Sequence, residues 1–162
     1  MSYQAANGRL VAWFTFLVGL VLQVMPLPME ISAWRPDWLL LIIMCWTLHL
    51  PHRYSIFTSF ILGVILDVLL GSHLGVNALA FSISVYFVLL YQQRLINFPK
   101  WQQTLVILAI MIVYHLIVYW IVFILGDAKF SLSLFYPAFA SFIFWRWGYW
   151  MIRRIALKYR VT

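Results

Sequence analysis

Asp67 is the residue whose chemistry most needs an explanation, because it lies within the apolar stretch SFILGVILDVLLGSHLGVN, from Ser59 to Asn77. A helix formed by this stretch is hydrophobic on every side, as in a protein core or a membrane, and a carboxylate there needs hydrogen-bond partners. Three roles are open: a structural clamp that accepts hydrogen bonds from a neighbouring helix or loop, a substrate, ion or proton site, and a charge tolerated near a membrane interface. We favour the clamp. Its candidate partners are Arg35, Ser72, His73 and Asn77.

Three glycines share the helical face of this carboxylate. Gly63, Gly71 and Gly75 are each separated from Asp67 by a multiple of four residues, so they lie along one face as long as the segment is helical. Small residues with this spacing allow membrane helices to approach closely, whereas glycine also commonly ends a helix. We predict close packing at Gly63, and turns at Gly71 and Gly75.

The other polar side chains do not form a catalytic or metal-binding pattern. No pair among His49, His52, His73 and His115 has the i, i+4 spacing of a helical zinc site. We interpret His115, in a long apolar run, as a hydrogen-bonded core histidine rather than a proton relay, while Arg146 can extend towards the membrane interface. The serines and threonines lack a GxSxG frame. We therefore predict that the chain is not an enzyme and has no catalytic residue, metal or cofactor.

The segment Trp34-Arg35-Pro36-Asp37-Trp38 has the signature of a helix start at a membrane surface. Pro36 suits the first turn of a helix, Asp37 suits the positive end of the helix dipole, and the two tryptophans suit the headgroup level. Chemistry is not required to explain this segment. Arg35 is expected to reach Asp67 if the second and third apolar runs pack side by side.

The composition places these residues in a membrane protein. Of 162 residues, 65% are hydrophobic and only 9% are charged, against about 25% charged residues in soluble domains. The net charge of +7 would favour nucleic acid as the partner of a soluble protein, but here the basic residues lie in short loops and tails, where membrane topology explains them. The single cysteine, Cys45, excludes a disulfide framework within the chain.

Six apolar runs with short connections predict an all-α polytopic membrane protein that forms a single domain over residues 1–162. The predicted transmembrane helices cover approximately residues 10–25, 37–50, 54–70, 74–95, 101–125 and 131–155. The first three are shorter than the roughly 20 residues that cross a bilayer. Either loop residues extend these helices, or the bilayer is locally thin around them.

The basic residues predict that both termini lie in the cytoplasm. In that orientation they favour the cytoplasmic side by eight to two, which agrees with the positive-inside rule. The cytoplasmic set is Arg9, Arg53, Arg94, Lys100, Arg153, Arg154, Lys158 and Arg160, and the external set is Arg35 and Lys129. The acidic residues Glu30, Asp37 and Asp127 then fall outside, with Asp67 near the outer end of the third span.

Several stretches along the whole chain resemble one known family. They are Arg35-Pro36-Asp37-Trp38, Leu50-Pro51-His52-Arg53, Gly63-x-x-x-Asp67-x-x-x-Gly71-Ser72-x-Leu74-Gly75-Val76, Trp101-Gln102-Gln103 and a basic C-terminal tail. In these stretches the chain resembles the rod-shape-determining MreD family, in its form from Gram-negative bacteria. The central stretch is the specific part, and beyond Gln103 the likeness is mainly one of hydropathy. The predicted structural or partner-binding residues are Arg35, Pro36, Asp37, Gly63, Asp67, Gly71, Leu74 and Gly75.

The resemblance implies a non-enzymatic scaffold subunit of the cell-elongation machinery for peptidoglycan biosynthesis, in the bacterial inner membrane. The partners that it implies are membrane lipid, a single-span MreC-like protein, the elongation transpeptidase, the RodA glycosyltransferase and MreB filaments. The fold that it implies is a six-helix bundle like the substrate-binding subunits of energy-coupling-factor transporters. That likeness keeps an alternative open, in which an intramembrane cavity binds a substrate or lipid with Asp67 as its polar contact.

Overall fold

The computed structural model describes residues 3–26, 28, 32–50, 54–126 and 132–158, with side chains from residue 10 onward. Over these residues the regular structure is entirely helical, which confirms the prediction of an all-α chain. The helices are α1 (Tyr3–Val24), α2 (Trp38–His49), α3 (Ile56–Leu70), α4 (Val76–Asn97), α5 (Lys100–Ile124) and α6 (Tyr136–Lys158), with a 3-10 helix at Leu132–Phe135 before α6.

The helices differ widely in length. α4 and α5, with 22 and 25 residues, are each long and apolar enough to cross a membrane. α2 and α3 have only 12 and 15 residues, or about 18 and 22 Å, so loop residues do not extend them to the roughly 30 Å of a bilayer core. Six spans and cytoplasmic termini stay predictions. The segment Pro51-His52-Arg53, the residues Glu30, Asp127, Lys129 and Arg160, and the side chain of Arg9 lie outside the described part of the chain.

The short helix α2 lies at the centre of the bundle, where it packs mainly on α1, α4 and α6. Its side chains are buried from Leu39 to Leu41 and from Ile43 to Leu48. A helix that is apolar on every face is suited to this position, because neighbouring helices cover most of its surface. Across its contact with α1, the indole Nε1 of Trp46 donates a hydrogen bond of 2.8 Å to the hydroxyl oxygen of Thr15.

α3 and α4 form an antiparallel hairpin joined by a five-residue turn, and they make the most extensive helix contact in the described structure. The close approach occurs at Gly63, where an added Cβ atom would lie 2.4 Å from the Cα of Ala78. That distance is far inside van der Waals contact and the neighbour is backbone, so only glycine allows this spacing. The predicted close packing at Gly63 is confirmed.

Candidate functional site

The end of α3 is a Schellman motif built around Asp67. Gly71 has a left-handed φ of 63°, its N–H donates to the carbonyl of Val68, and the N–H of Ser72 donates to the carbonyl of Asp67. Glycine adopts this conformation without the steric penalty that a Cβ atom brings. The predicted turn at Gly71 is confirmed, and it directs the chain back towards the Asp67 side chain.

The carboxylate of Asp67 caps the N-terminus of α4. Its Oδ2 accepts hydrogen bonds from the backbone N–H groups of Gly75 at 2.9 Å and Ala78 at 3.4 Å. Its Oδ1 accepts from the backbone N–H of Asn77 at 3.2 Å and from the Ser72 hydroxyl at 3.0 Å. The first N–H groups of a helix have no partner within the helix, and the residue at the N-cap, Gly75, has no side chain to supply one. Asp67 performs this function from the preceding helix.

Gly75 is the second turn position, with a φ of 99°. This left-handed conformation is strained for a residue with a Cβ atom. It brings the first N–H groups of α4 to a carboxylate that is 0% exposed to solvent. The predicted turn at Gly75 is confirmed as well.

A chain of hydrogen bonds extends from this cap to α5. The amide Nδ2 of Asn77 donates to Oδ1 of Asp67 at 2.8 Å, and the amide oxygen of Asn77 accepts from the hydroxyl of Tyr114 at 2.8 Å. Asn77 and Tyr114 are 9% and 5% exposed, so these bonds lie in the interior, where an unpaired polar group is costly. Three helices are thereby held together at one level of the bundle.

A second buried acid, Asp37, lies at the N-cap of α2. Its carboxylate does not cap its own helix; instead, Oδ2 lies 2.8 Å from Nε2 of His115 on α5. The backbone N–H of Asp37 donates to the hydroxyl of Ser141 on α6 at 2.9 Å. The start of α2 is therefore tied to two other helices, and His115 is a hydrogen-bonded interior residue, as we interpreted it from the sequence.

The consecutive residues Tyr114 and His115 connect the two carboxylates. Neighbouring side chains on a helix point about 100° apart, so Tyr114 faces α4 while His115 faces α2. We name this set the polar belt; its members are Asp37, Asp67, Ser72, Asn77, Tyr114, His115 and Ser141. Chemically, the belt satisfies both acids with donors from within the bundle and fixes the positions of α2, α3, α4, α5 and α6.

One expectation for Asp67 is corrected by this arrangement. Arg35 does not pair with Asp67, because α2 packs mainly on α1, α4 and α6. The Arg35 guanidinium instead donates to the backbone carbonyl of Gln23. Asp37 marks the start of α2 as predicted, and its carboxylate contacts His115 without a hydrogen bond to the first turn of α2. Among the other predicted residues, Pro36 is buried beside Asp37, and Leu74 is 72% exposed in the α3–α4 turn.

Sequence reasoning missed the partnership of Asp37 with His115 and the contribution of Tyr114 and Ser141. The sequence contains a signal for these contacts. A Tyr-His pair inside an apolar helix needs hydrogen-bond partners for both side chains, and the four acidic residues of the chain are a short list of candidate acceptors. Among the described residues, no group of three or more His, Cys, Asp or Glu is arranged to hold a metal ion.

An apolar groove, separate from the polar belt, opens between α1, α2 and α6. Its volume is about 720 Å³, and along α1 it extends from Leu10 to Leu22, a length of about 18 Å. Cys45 lies on the α2 side, and Gly148 on the α6 side has no atom within 4 Å of the position of an added Cβ. Asp67 is not among the lining residues, so the expected cavity with Asp67 as its polar contact is not this groove.

Comparison with known proteins gives one consistent result. The family model described as rod shape-determining protein MreD matches residues 4–155. The chain is 34% identical over 153 residues to a rod shape-determining protein MreD of Haemophilus influenzae, a similarity that covers 92% of this chain and 94% of that protein. No solved structure matches the chain.

Proposed function

The chain belongs to the MreD family of rod shape-determining membrane proteins, and we propose that it is a non-enzymatic scaffold subunit of the bacterial cell-elongation complex. In this role it lies in the inner membrane with six spans and cytoplasmic termini. It binds a single-span MreC-like protein and links it to the elongation transpeptidase, the RodA glycosyltransferase and MreB filaments.

The apolar groove between α1, α2 and α6 is the observation that carries this proposal. It extends for about 18 Å along α1 and is lined almost entirely by apolar side chains, which suits one transmembrane helix of a partner. Helices associate in membranes by close van der Waals packing, and Gly148 provides a position at which a partner backbone can approach closely. The groove therefore supports the proposal that a single-span partner binds between α1, α2 and α6.

The state of the two buried acids supports a scaffold over a catalyst. Each is engaged by donors from the bundle itself, Asp67 by Ser72, Gly75 and Asn77 and Asp37 by His115. A general acid or base needs a free position next to a substrate. These acids instead hold helices together: Asp67 joins α3, α4 and α5, and Asp37 ties α2, one wall of the groove, to α5.

Disulfide cross-linking tests the groove directly. In a Cys45→Ala background, single cysteines at Val18 on α1 and Met151 on α6 are paired with cysteines placed along the transmembrane helix of the MreC-like partner. Val18 and Met151 both line the groove, so we expect cross-links with a helical periodicity along the partner. A cross-link requires Cβ atoms within about 4.5 Å, so it reports direct contact.

Matched controls are available outside the groove. Val68 on α3 and Leu90 on α4 do not line it and are 62% and 57% exposed, so cysteines there are accessible on the surface of the bundle. If these positions cross-link as strongly as those of the groove, or if they alone do so, the partner does not bind between α1, α2 and α6.

The same groove favours one second candidate, a membrane subunit that binds a lipid or another apolar small molecule. This alternative predicts that a stoichiometric small molecule is retained by the purified chain and is lost from Gly148→Leu, which fills the groove. Retention of such a molecule without partner cross-links would favour the second candidate, and the reverse result would eliminate it.

A further inference from the structure

A cluster of basic side chains lies where the start of α5 meets the second half of α6. Lys100, Arg146 and Arg153 line one small pocket of about 130 Å³. Arg146 and Arg153 are seven residues apart, so they lie on the same face of α6. Lys100, in the first turn of α5, completes the cluster from the neighbouring helix. We call this the basic pocket.

Uncharged hydrogen-bonding groups also line the basic pocket. Gln103 and Thr104 face it from α5, and Tyr149 faces it from α6. Gln103 is only 7% exposed, so its amide is held in place by its surroundings. The positive end of the α5 dipole is at the same position, because the helix begins at Lys100.

No acid in the described part of the chain lines the basic pocket. The four acidic residues are Glu30, Asp37, Asp67 and Asp127. Asp37 and Asp67 are engaged in the polar belt, and Glu30 and Asp127 lie outside the described residues. Three cations from two helices therefore converge without a counter-ion among the described residues, which is an electrostatic arrangement that favours binding of an anion.

Tryptophans around the pocket indicate its depth in the membrane. Trp101, Trp147 and Trp150 are 66%, 79% and 54% exposed, and tryptophan is enriched at the level of the lipid headgroups. Trp150 lines the pocket, and its ring lies 3.8 Å below the guanidinium carbon of Arg154. The basic pocket is therefore at the level of headgroup phosphates.

We propose that the basic pocket binds the phosphate of an acidic phospholipid from the cytoplasmic leaflet. Lys100, Arg146 and Arg153 supply the charge, and the Gln103 amide donates a further hydrogen bond. Arginine is well suited to two-pronged recognition of phosphate oxygens. Basic pockets between transmembrane helices on the cytoplasmic side are suited to such headgroups. The site rests on the orientation in the proposed function but not on the partner in the groove.

Native mass spectrometry of the purified full-length chain tests the site. The chain is titrated with phosphatidylglycerol, cardiolipin or phosphatidylethanolamine in detergent. We expect the two acidic lipids to bind more tightly than the zwitterionic one. Arg146→Gln and Arg153→Gln should each weaken acidic-lipid binding about fivefold, and the triple variant with Lys100→Gln about a hundredfold.

Arg94→Gln is the matched control. Arg94 is also exposed and lies in the last turn of α4, at the same end of the bundle, but it does not line the pocket. We expect this variant to keep the wild-type preference. An equal loss of acidic-lipid affinity in Arg94→Gln would overturn the proposed site, because binding would then reflect only the overall positive charge. Equal affinity for the zwitterionic lipid would also overturn it, because binding would then not depend on an acidic headgroup.

Inorganic phosphate distinguishes a lipid from a soluble anion. If millimolar phosphate displaces the acidic lipid completely, the site is one for a free anion and the proposal is wrong. Persistence of the lipid supports it. Because all these measurements omit the single-span partner, their failure is distinguishable from failure of the scaffold proposal, which the groove cross-links test.

Discussion

Asp67→Asn is the substitution that most directly tests the cap between α3 and α4. The amide oxygen of asparagine can replace one carboxylate oxygen, on the side that accepts from Ser72 and Asn77. Its NH₂ group then faces the backbone N–H groups of Gly75 and Ala78, where two donors oppose each other. Flipping the amide only moves the conflict to the other side.

The expected loss follows from the two abandoned N–H groups. A buried donor without its acceptor costs about 1–3 kcal/mol, and the bond from Ala78 is already long at 3.4 Å. We expect a total loss of about 2–4 kcal/mol in the free energy of unfolding. For a chain of this size each kcal/mol corresponds to about 2–4 °C, so the melting temperature of the purified protein in detergent should fall by roughly 4–16 °C.

Asp37→Asn provides a matched acid-to-amide control. Its amide oxygen can still accept from His115, and its side chain caps no helix, so we expect a smaller loss of stability than for Asp67→Asn.

In cells, Asp67→Asn should insert into the membrane but weaken co-purification of the MreC-like partner and round the cells. A melting temperature within 2 °C of wild type would refute the role of the cap, and normal shape with normal co-purification would refute its relevance to the complex.

Three further predictions concern the packing of the bundle and are measured by thermal unfolding in detergent. Gly63→Ala should destabilise by more than about 2 kcal/mol, because its Cβ meets the backbone of Ala78; a neutral result would contradict the close contact. Gly148→Ala should be neutral or stabilise by up to about 1 kcal/mol, because no atom lies near the new methyl group; a clear loss would show that the groove is closed. His115→Ala should cost about 3 kcal/mol, because it leaves Asp37 unpaired, and combining it with Asp37→Leu should recover most of that loss; no recovery would contradict direct pairing.

Local features of the chain were predictable from the sequence because their causes are local. The helix ends at Gly71 and Gly75 follow from glycine conformation, and the close approach at Gly63 follows from side-chain size. Ser72 and Asn77 are predictable as candidate partners of Asp67 because the expected topology places them on the same side of the membrane. The apolar composition was sufficient for the all-α fold.

Long-range partners were not predictable, because apolar helices can pack in many orders with similar energies. Contact between Arg35 and Asp67 requires the second and third runs to be neighbours, but α2 instead packs mainly on α1, α4 and α6. The tie between Asp37 and His115 joins residues 78 positions apart. The groove depends on how far α1 and α6 separate, which no single run of sequence encodes.

The way in which Asp67 is satisfied also bears on the biogenesis of the protein. Its donors are Ser72, Gly75, Asn77 and Ala78, which all follow within eleven residues. The carboxylate and the N–H groups at the start of α4 therefore satisfy each other within one helical hairpin. A nascent chain can therefore deliver α3 and α4 to the lipid as a pair, with the acid already shielded before α5 has left the ribosome. Insertion of α3 and α4 into the membrane as a pair should therefore cost less free energy than the hydropathy of α3 alone suggests.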